Sequence, residues 1–286
     1  MKTIILSLVF GIALSGCATG GGGTSTGPKE GMPKAIPLEF KGKAGETTQT
    51  RYFSNAHILT FEDGQLVRDR TEGVDFTVSS HVSEVLPAQK ILKFEVKTIA
   101  KDGTVDLHDL AFPELQEQID YVIRSNGEVL QAGRLPPQSL FYVPAMPIPK
   151  GKVEVGDTWI MQHTWYSSKD GIPLSLEVVA ILKGIVPCEG KGVCADIEIS
   201  GHVTLVAQPV AMGSRFNSRL WGRLLFSLDR GDVLWSDMRS SEEMGIKGNH
   251  MKVNSCMVSE MKLAGDWRIK FACNPDDETV TKTPSY

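Results

Sequence analysis

Along much of this chain apolar residues return at every second position. Leu92, Phe94, Val96 and Thr98 alternate with Lys93, Glu95 and Lys97; Ile197 and Ile199 alternate with Asp196, Glu198 and Ser200; Trp267, Ile269 and Phe271 alternate with Arg268 and Lys270. A period of two puts the apolar set on one face of an extended chain and predicts half-buried strands with one wet face, the habit of antiparallel sheets. Turn dipeptides punctuate the pattern at Asp63-Gly64, Asp102-Gly103, Asn126-Gly127, Asp170-Gly171 and near Arg230-Gly231, as hairpins require. Helix signals are few: Pro136 to Tyr142 has its prolines where a first helical turn tolerates them, and Pro113 to Ile119 reads equally as a helical turn or a strand entry. An antiparallel sheet with one apolar face must be covered by a second layer or curl on itself. The expected fold is therefore all-β, built of antiparallel sheets as a sandwich or a curved, barrel-like sheet, with little helix.

The two halves of this β-rich region are related. Ala44-Gly45-Glu46-Thr47 matches Val155-Gly156-Asp157-Thr158 where a strand begins, Leu86-Pro87 matches Val186-Pro187 at a later bend, and Asn126-Gly127-Glu128-Val129-Leu130 matches Arg230-Gly231-Asp232-Val233-Leu234. The matches keep their order at offsets of 111, 100 and 104 residues, which indicates an internal duplication of roughly a hundred residues with short loop insertions. The first copy is expected over 37–148 and the second over 149–273, linked by the proline-rich stretch from Val143 to Pro149.

Ahead of these copies, Lys2 precedes an apolar run from Ile4 to Leu14 and then small residues, the layout of an export signal over 1–16. The run is too short to span a membrane, which takes about 20 apolar residues. Leu14-Ser15-Gly16-Cys17 resembles the bacterial lipobox. That resemblance implies cleavage before Cys17, a diacylglyceryl thioether on its sulfur and a third acyl chain on its amino group. Several acyl chains together hold a protein firmly to a membrane, each buried methylene adding about 0.8 kcal/mol. Ala18 stands where an aspartate is usually absent in outer-membrane lipoproteins, so the resemblance favours the periplasmic face of the outer membrane. From Cys17 to Ile36 the chain is rich in glycine and reads as a flexible tether, and the polar stretch 274–286, with Pro275 and Pro284, reads as a loose tail.

Cleavage leaves 270 residues with 29 Lys and Arg against 34 Asp and Glu, a mildly acidic balance that argues against nucleic-acid binding. Four cysteines remain, Cys188, Cys194, Cys256 and Cys273, and an even number in an exported chain indicates two disulfides. Three connectivities are open; Cys188 with Cys194 and Cys256 with Cys273 is favoured because each pair is local and suits the adjacent strands of a hairpin. A zinc site is disfavoured, since no C-x-x-C is present and no histidines stand at ligand spacing.

The sequence also resembles a loose group of uncharacterised bacterial envelope proteins that share a V-G-D-x-W strand start and a later D-x-G-x-V hairpin. Here the motifs are Val155-Gly156-Asp157-Thr158-Trp159 and Asp229-Arg230-Gly231-Asp232-Val233, while the first copy lacks the tryptophan. The resemblance covers about residues 38–263 and brings no catalytic or binding residues with it.

No G-x-S-x-G, H-E-x-x-H, Walker A or strand-borne G-x-G-x-x-G occurs. Asp106 and His108, with Asp109 beside them, lie on the polar face of an expected strand, where a solvated face outweighs an acid–base or metal pair. Met238, Met244, Met251, Met257 and Met261 crowd one region beside His250. Thioethers favour Cu(I), but the wide spacing favours core packing. Trp159 and Trp165 differ by an even number and are expected on one side of their strand. The reading that follows is a membrane-anchored periplasmic lipoprotein acting as a non-catalytic binding or envelope-structural module, with a lipid or an envelope protein as partner and no catalytic residues, cofactor or metal. The alternative is an envelope hydrolase or metal-dependent enzyme using Asp106 and His108.

Overall fold

The computed structural model describes residues 33–281 apart from 168–170, 189–191, 207–214, 247–248 and 264–266. The signal segment, Cys17 and the tether as far as residue 32 lie outside the described residues, as do residues 282–286. The strands are β1 (Ala35–Ile36), β2 (Thr47–Glu62), β3 (Gln65–Leu86), β4 (Ile91–Gly103), β5 (Gln118–Arg124), β6 (Val129–Ala132), β7 (Val153–Glu154), β8 (Thr158–Tyr166), β9 (Pro173–Cys188), β10 (Gly192–Leu205), β11 (Arg215–Ser227), β12 (Asp232–Ile246) and β13 (Asn249–Met261). Among the described residues, helix is confined to 3-10 turns at Pro87–Gln89, Leu107–Leu110 and Leu140–Tyr142. The last of these is what becomes of the expected helix from Pro136, and Leu115 forms only an isolated bridge to Thr98 before β5 begins.

Eleven strands form one antiparallel sheet in the order β6-β5-β4-β3-β2-β13-β12-β11-β10-β9-β8, while β1 pairs with β7. The order repeats itself: β2 to β6 and β8 to β12 run across the sheet in the same sense, with β13 between them. The two strand entries also repeat bond for bond. Gly45 and Gly156 take left-handed φ values of 84° and 96° and donate to Val82 and Leu182 carbonyls, each at 2.8 Å. Val82 and Leu182 donate back to the carbonyls of Glu46 and Asp157 at 2.9 and 3.1 Å. The glycines are required because other L-residues pay steric energy at positive φ.

The sheet curls strongly. Phe40 N donates to Ser125 O just after β5, and Lys41 N donates to Gly231 O just before β12. In the sheet order β5 and β12 are five steps apart, about 24 Å if flat. Two successive residues, about 3.8 Å apart, touch both ends, so the sheet must close around the segment 38–41. The linker after β6 bonds the far edge of the sheet: Tyr166 N of β8 donates to Gln138 O at 2.7 Å, and Trp159 Nε1 donates to Pro147 O at 3.1 Å.

The concave face is apolar, as the period of two requires. Val74, Phe76 and Val78 of β3, Leu174 to Leu182 at alternate positions of β9, and Ile197 and Ile199 of β10 are buried in one cluster with Trp159 and Trp165, which do share a side. Ile36, Leu38 and Phe40 join that cluster, so the end of the stretch expected to be tether, at Ala35 and Ile36, is part of the packed fold. The disulfides are Cys188 to Cys194, across the β9–β10 hairpin, and Cys256 to Cys273. Cys273 is not on a strand, and neither are Trp267, Ile269 and Phe271. Their alternation instead lays side chains on the convex face, where Trp267 meets Phe271 edge to face and Arg51 covers the Phe271 ring.

The stretch from Asn274 to Thr281 is not loose. Arg239, 4% exposed, donates from Nη1 to the carbonyls of Asn274 and Asp277, and Asp237, 0% exposed, accepts from Thr281 N and Oγ1 at 2.7 Å. Trp221 Nε1 donates to Glu278 O, and Asp276 bonds Asn254 and His57. Polar residues in this tail reflect the buried charges of β12 that they satisfy, which composition alone does not reveal.

Candidate functional site

At the end of the curled sheet where β2, β4, β6 and β12 begin, the concave face does not fill. A cavity of about 310 Å³ remains, within the range of small-molecule pockets. Its walls are of two kinds. Phe94 and Val96 of β4, Ile123 of β5 and Val129 of β6 form an apolar side, over which the 3-10 turns bring Leu110, Phe112, Leu140 and Phe141. Facing them, β2, β13 and β12 supply Thr50, Tyr52, Ser236, Ser259 and Asp232 together with Met238 and Met257. Strand register explains the second wall: Ser236 lies opposite Ser259 and Met238 opposite Met257, so like side chains meet across β12 and β13.

Two of the hydroxyls on that wall satisfy each other: Ser236 Oγ and Ser259 Oγ are 2.7 Å apart. Asp232 differs. Its Oδ1 accepts from Val233 N at 2.7 Å, while among the described residues its Oδ2 takes no hydrogen bond. Loss of hydration inside the walls pushes the Asp232 carboxyl up to about 6, against the lowering effects of the Val233 N–H and Arg230, and Glu46 pushes it further up. Burial likewise raises the hydroxyls of Tyr52 and Tyr121. The residue matching Asp232 in the first copy, Glu128, is exposed and pairs with Arg124 at 2.7 Å, so the duplication conceals rather than marks the inward-facing acid.

Asp106 and His108 are on a 3-10 turn and not on the expected strand. Asp106 caps that turn by accepting from His108 N at 2.9 Å. The His108 ring turns elsewhere, its Nε2 2.6 Å from Glu117 Oε2 and its edge against Phe141. Glu114 accepts from Leu107 N at 2.6 Å and from Lys101 Nζ at 2.7 Å, and these bonds from Lys101 and Leu107 hold its carboxyl below its ordinary value although burial opposes them. Together Asp106, Glu114, Glu117 and His108 fasten the turn that covers the cavity. Among the described residues no group of three or more His, Cys, Asp or Glu side chains is placed to hold a metal ion. Of the five methionines, Met244 and Met251 form a second opposed pair deeper on the concave face, and Met261 packs with Trp235 behind the sheet.

Deeper still on β12, Glu242 is 4% exposed and among the described residues has only a long bond from Ser240 Oγ at 3.5 Å, and Ser240 is itself 2.6 Å from Ser255. Burial drives the Glu242 carboxyl well above its ordinary value. For an acid raised in the folded state, the fold binds the proton more tightly than the unfolded chain, so stability falls as pH rises above about 4.5 toward the folded pKa. Replacing Glu242 by glutamine is expected to raise stability at pH 8 by on the order of 1–2 kcal/mol and to flatten the decline between pH 5 and pH 8. Equal melting-temperature slopes for both proteins across that interval would overturn this.

No family model and no curated protein matches the chain. Among solved structures it is similar to DynF from the dynemicin biosynthesis pathway of Micromonospora chersina, at 10% identity and a TM-score of 0.20 over 87% of this chain and 93% of that one. It is also similar to an outer membrane channel from Pseudomonas putida F1, at 9% identity and a TM-score of 0.21 over 79% and 98%. Scores this low carry no argument about fold or function.

Proposed function

We propose that this protein is a lipid-anchored envelope lipoprotein, held at the periplasmic face of the outer membrane through Cys17, whose curled sheet binds a small apolar ligand. The observation that carries the binding half of this reading is the cavity, walled by aromatic and aliphatic side chains of β4 to β6 and roofed by two 3-10 turns. Water in such a space makes few hydrogen bonds, so an apolar molecule that displaces it gains the free energy of burial on both surfaces. The lipobox at Leu14 to Cys17 supports the anchor, and the two disulfides agree with an oxidising compartment. Binding, rather than catalysis, suits a site in which, among the described residues, a single carboxylate oxygen without a hydrogen bond stands among apolar side chains and the paired serines.

Protein taken from the membranes of its own cells is expected to have the intact mass of the chain from Cys17 with three acyl chains and two disulfides. The soluble domain is expected to bind the neutral dye N-phenyl-1-naphthylamine with micromolar affinity, and Val96→Phe, which fills the apolar wall, to weaken it at least tenfold while the protein stays folded. An unacylated mass overturns the anchor. A wild-type domain that leaves the dye in water overturns the cavity as a binding site.

A further inference from the structure

We propose, resting on that reading, that the natural ligand is an amphiphile with a hydroxyl or amine head that donates a hydrogen bond to Asp232, and that molecules with anionic heads are rejected. The cavity is two-sided, and a wholly apolar molecule would leave the Asp232 carboxylate facing hydrocarbon, with its hydration lost and nothing in return. The remaining wall groups do not offer an alternative anchor of comparable strength. Ser236 and Ser259 are engaged with each other, Thr50, Tyr52 and Ser80 offer only neutral hydroxyls, and the exposed Lys41 ammonium, which gives one of its three N–H groups to the Leu228 carbonyl at 2.6 Å, cannot accept from a hydroxyl or amine head. Among the described residues that line the cavity Asp232 is the one acid, its Oδ2 takes no hydrogen bond, and a donor reaching it makes a charge-assisted bond. An acceptor-only head such as a carboxylate meets repulsion from the Asp232 carboxylate and finds no hydrogen there to accept, while the nearby Arg230 and Glu46 carry opposite charges and pair with each other at 3.6 Å. The position also sets the ligand's direction. Asp232 opens β12 beside Gly231, whose carbonyl holds the segment 38–41, so the head lies by that segment and the chain runs beneath Phe112 and Phe141.

The test is displacement of N-phenyl-1-naphthylamine at pH 8 by decylamine, decanol and decanoate, which share one chain and differ in the head. Decylamine and decanol are expected to displace the dye at concentrations at least ten times lower than decanoate. In Asp232→Asn the advantage of decylamine over decanoate is expected to shrink at least tenfold, with decanol changed less than threefold. Decanoate competing as well as decylamine overturns the proposal, and so does an unchanged ratio in a variant that still binds the dye. If that variant fails to fold, the wild-type ranking decides alone. A domain that binds the dye but ranks the heads equally refutes only the role of Asp232, whereas failure to bind the dye or any of the three refutes the cavity reading as well.

Discussion

Replacing Gly231 with alanine is expected to cost about 3–4 kcal/mol and to lower the melting temperature by about 10 °C. The added Cβ would stand 2.4 Å from Lys41 N and 2.6 Å from Glu39 O, and Gly231 takes a φ of 64°. Its neighbours are backbone atoms of the segment that the sheet curls around, so they move only by breaking the Lys41 to Gly231 hydrogen bond. The matching Gly127 provides the control. There the Cβ would come 3.1 Å from the ring of Phe40, a side chain able to shift, and Gly127→Ala is expected to cost about 1 kcal/mol. Urea denaturation of both variants checks the comparison, and equal losses would show that positive φ, rather than the close passage of residues 39–41, dominates. Because the same segment lines the cavity with Phe40 and Lys41, Gly231→Ala is also expected to impair dye binding, while Gly127→Ala retains most of it.

Arg239→Ala is expected to destabilise the domain by about 3–5 kcal/mol and to free the C-terminal segment. Arg239 and Asp237 are 3% and 0% exposed at their side chains, with Nε 3.2 Å from Oδ1, and the same guanidinium holds the carbonyls of Asn274 and Asp277. Truncation leaves the Asp237 carboxylate buried with only the Thr281 donors, and removes what fastens the tail across β11 and β12. Hydrogen exchange should show faster exchange at Thr279 and Thr281, whose amide donors go to Asp277 and Asp237. The Cys256 to Cys273 disulfide continues to hold the chain just before this segment, so exchange confined to 274–281 is the expected pattern. Unchanged exchange there would mean that Trp221, Asn254 and His57 hold the tail without help from the arginine.

Sheet elements were legible where one local rule sufficed. The alternation through Leu92 to Thr98 and the Asp63-Gly64 and Asn126-Gly127 turns follow from strand pleat and the steric freedom of glycine, properties of a few adjacent residues. The same rule failed for Trp267 to Phe271, since alternation records only that one side is apolar, and a strand-free segment lying on the convex face produces that pattern too. Asp106 and His108 were misplaced for a related reason: two residues apart suggests one strand face, but Asp106 is occupied in capping a turn whose partners, Glu114 and Glu117, are fixed by tertiary folding.

By itself the sequence determined the all-β class, the glycine turns before β2, β6, β8 and β12, and the favoured cysteine pairing, because each depends on neighbouring residues. The match of Leu86-Pro87 with Val186-Pro187 is not a second pair of bends, since Val186 and Pro187 lie within β9. Tertiary structure decided that the strands make one curled sheet, that residues 38–41 pass between two turns more than eighty residues away in the chain, and that a cavity is left at one end. It also decided that Asp232 faces inward while its counterpart Glu128 faces water. The physical reason is that burial is a property of the closed sheet: the same acid after the same glycine turn is solvated or enclosed according to which distant strand curls over it.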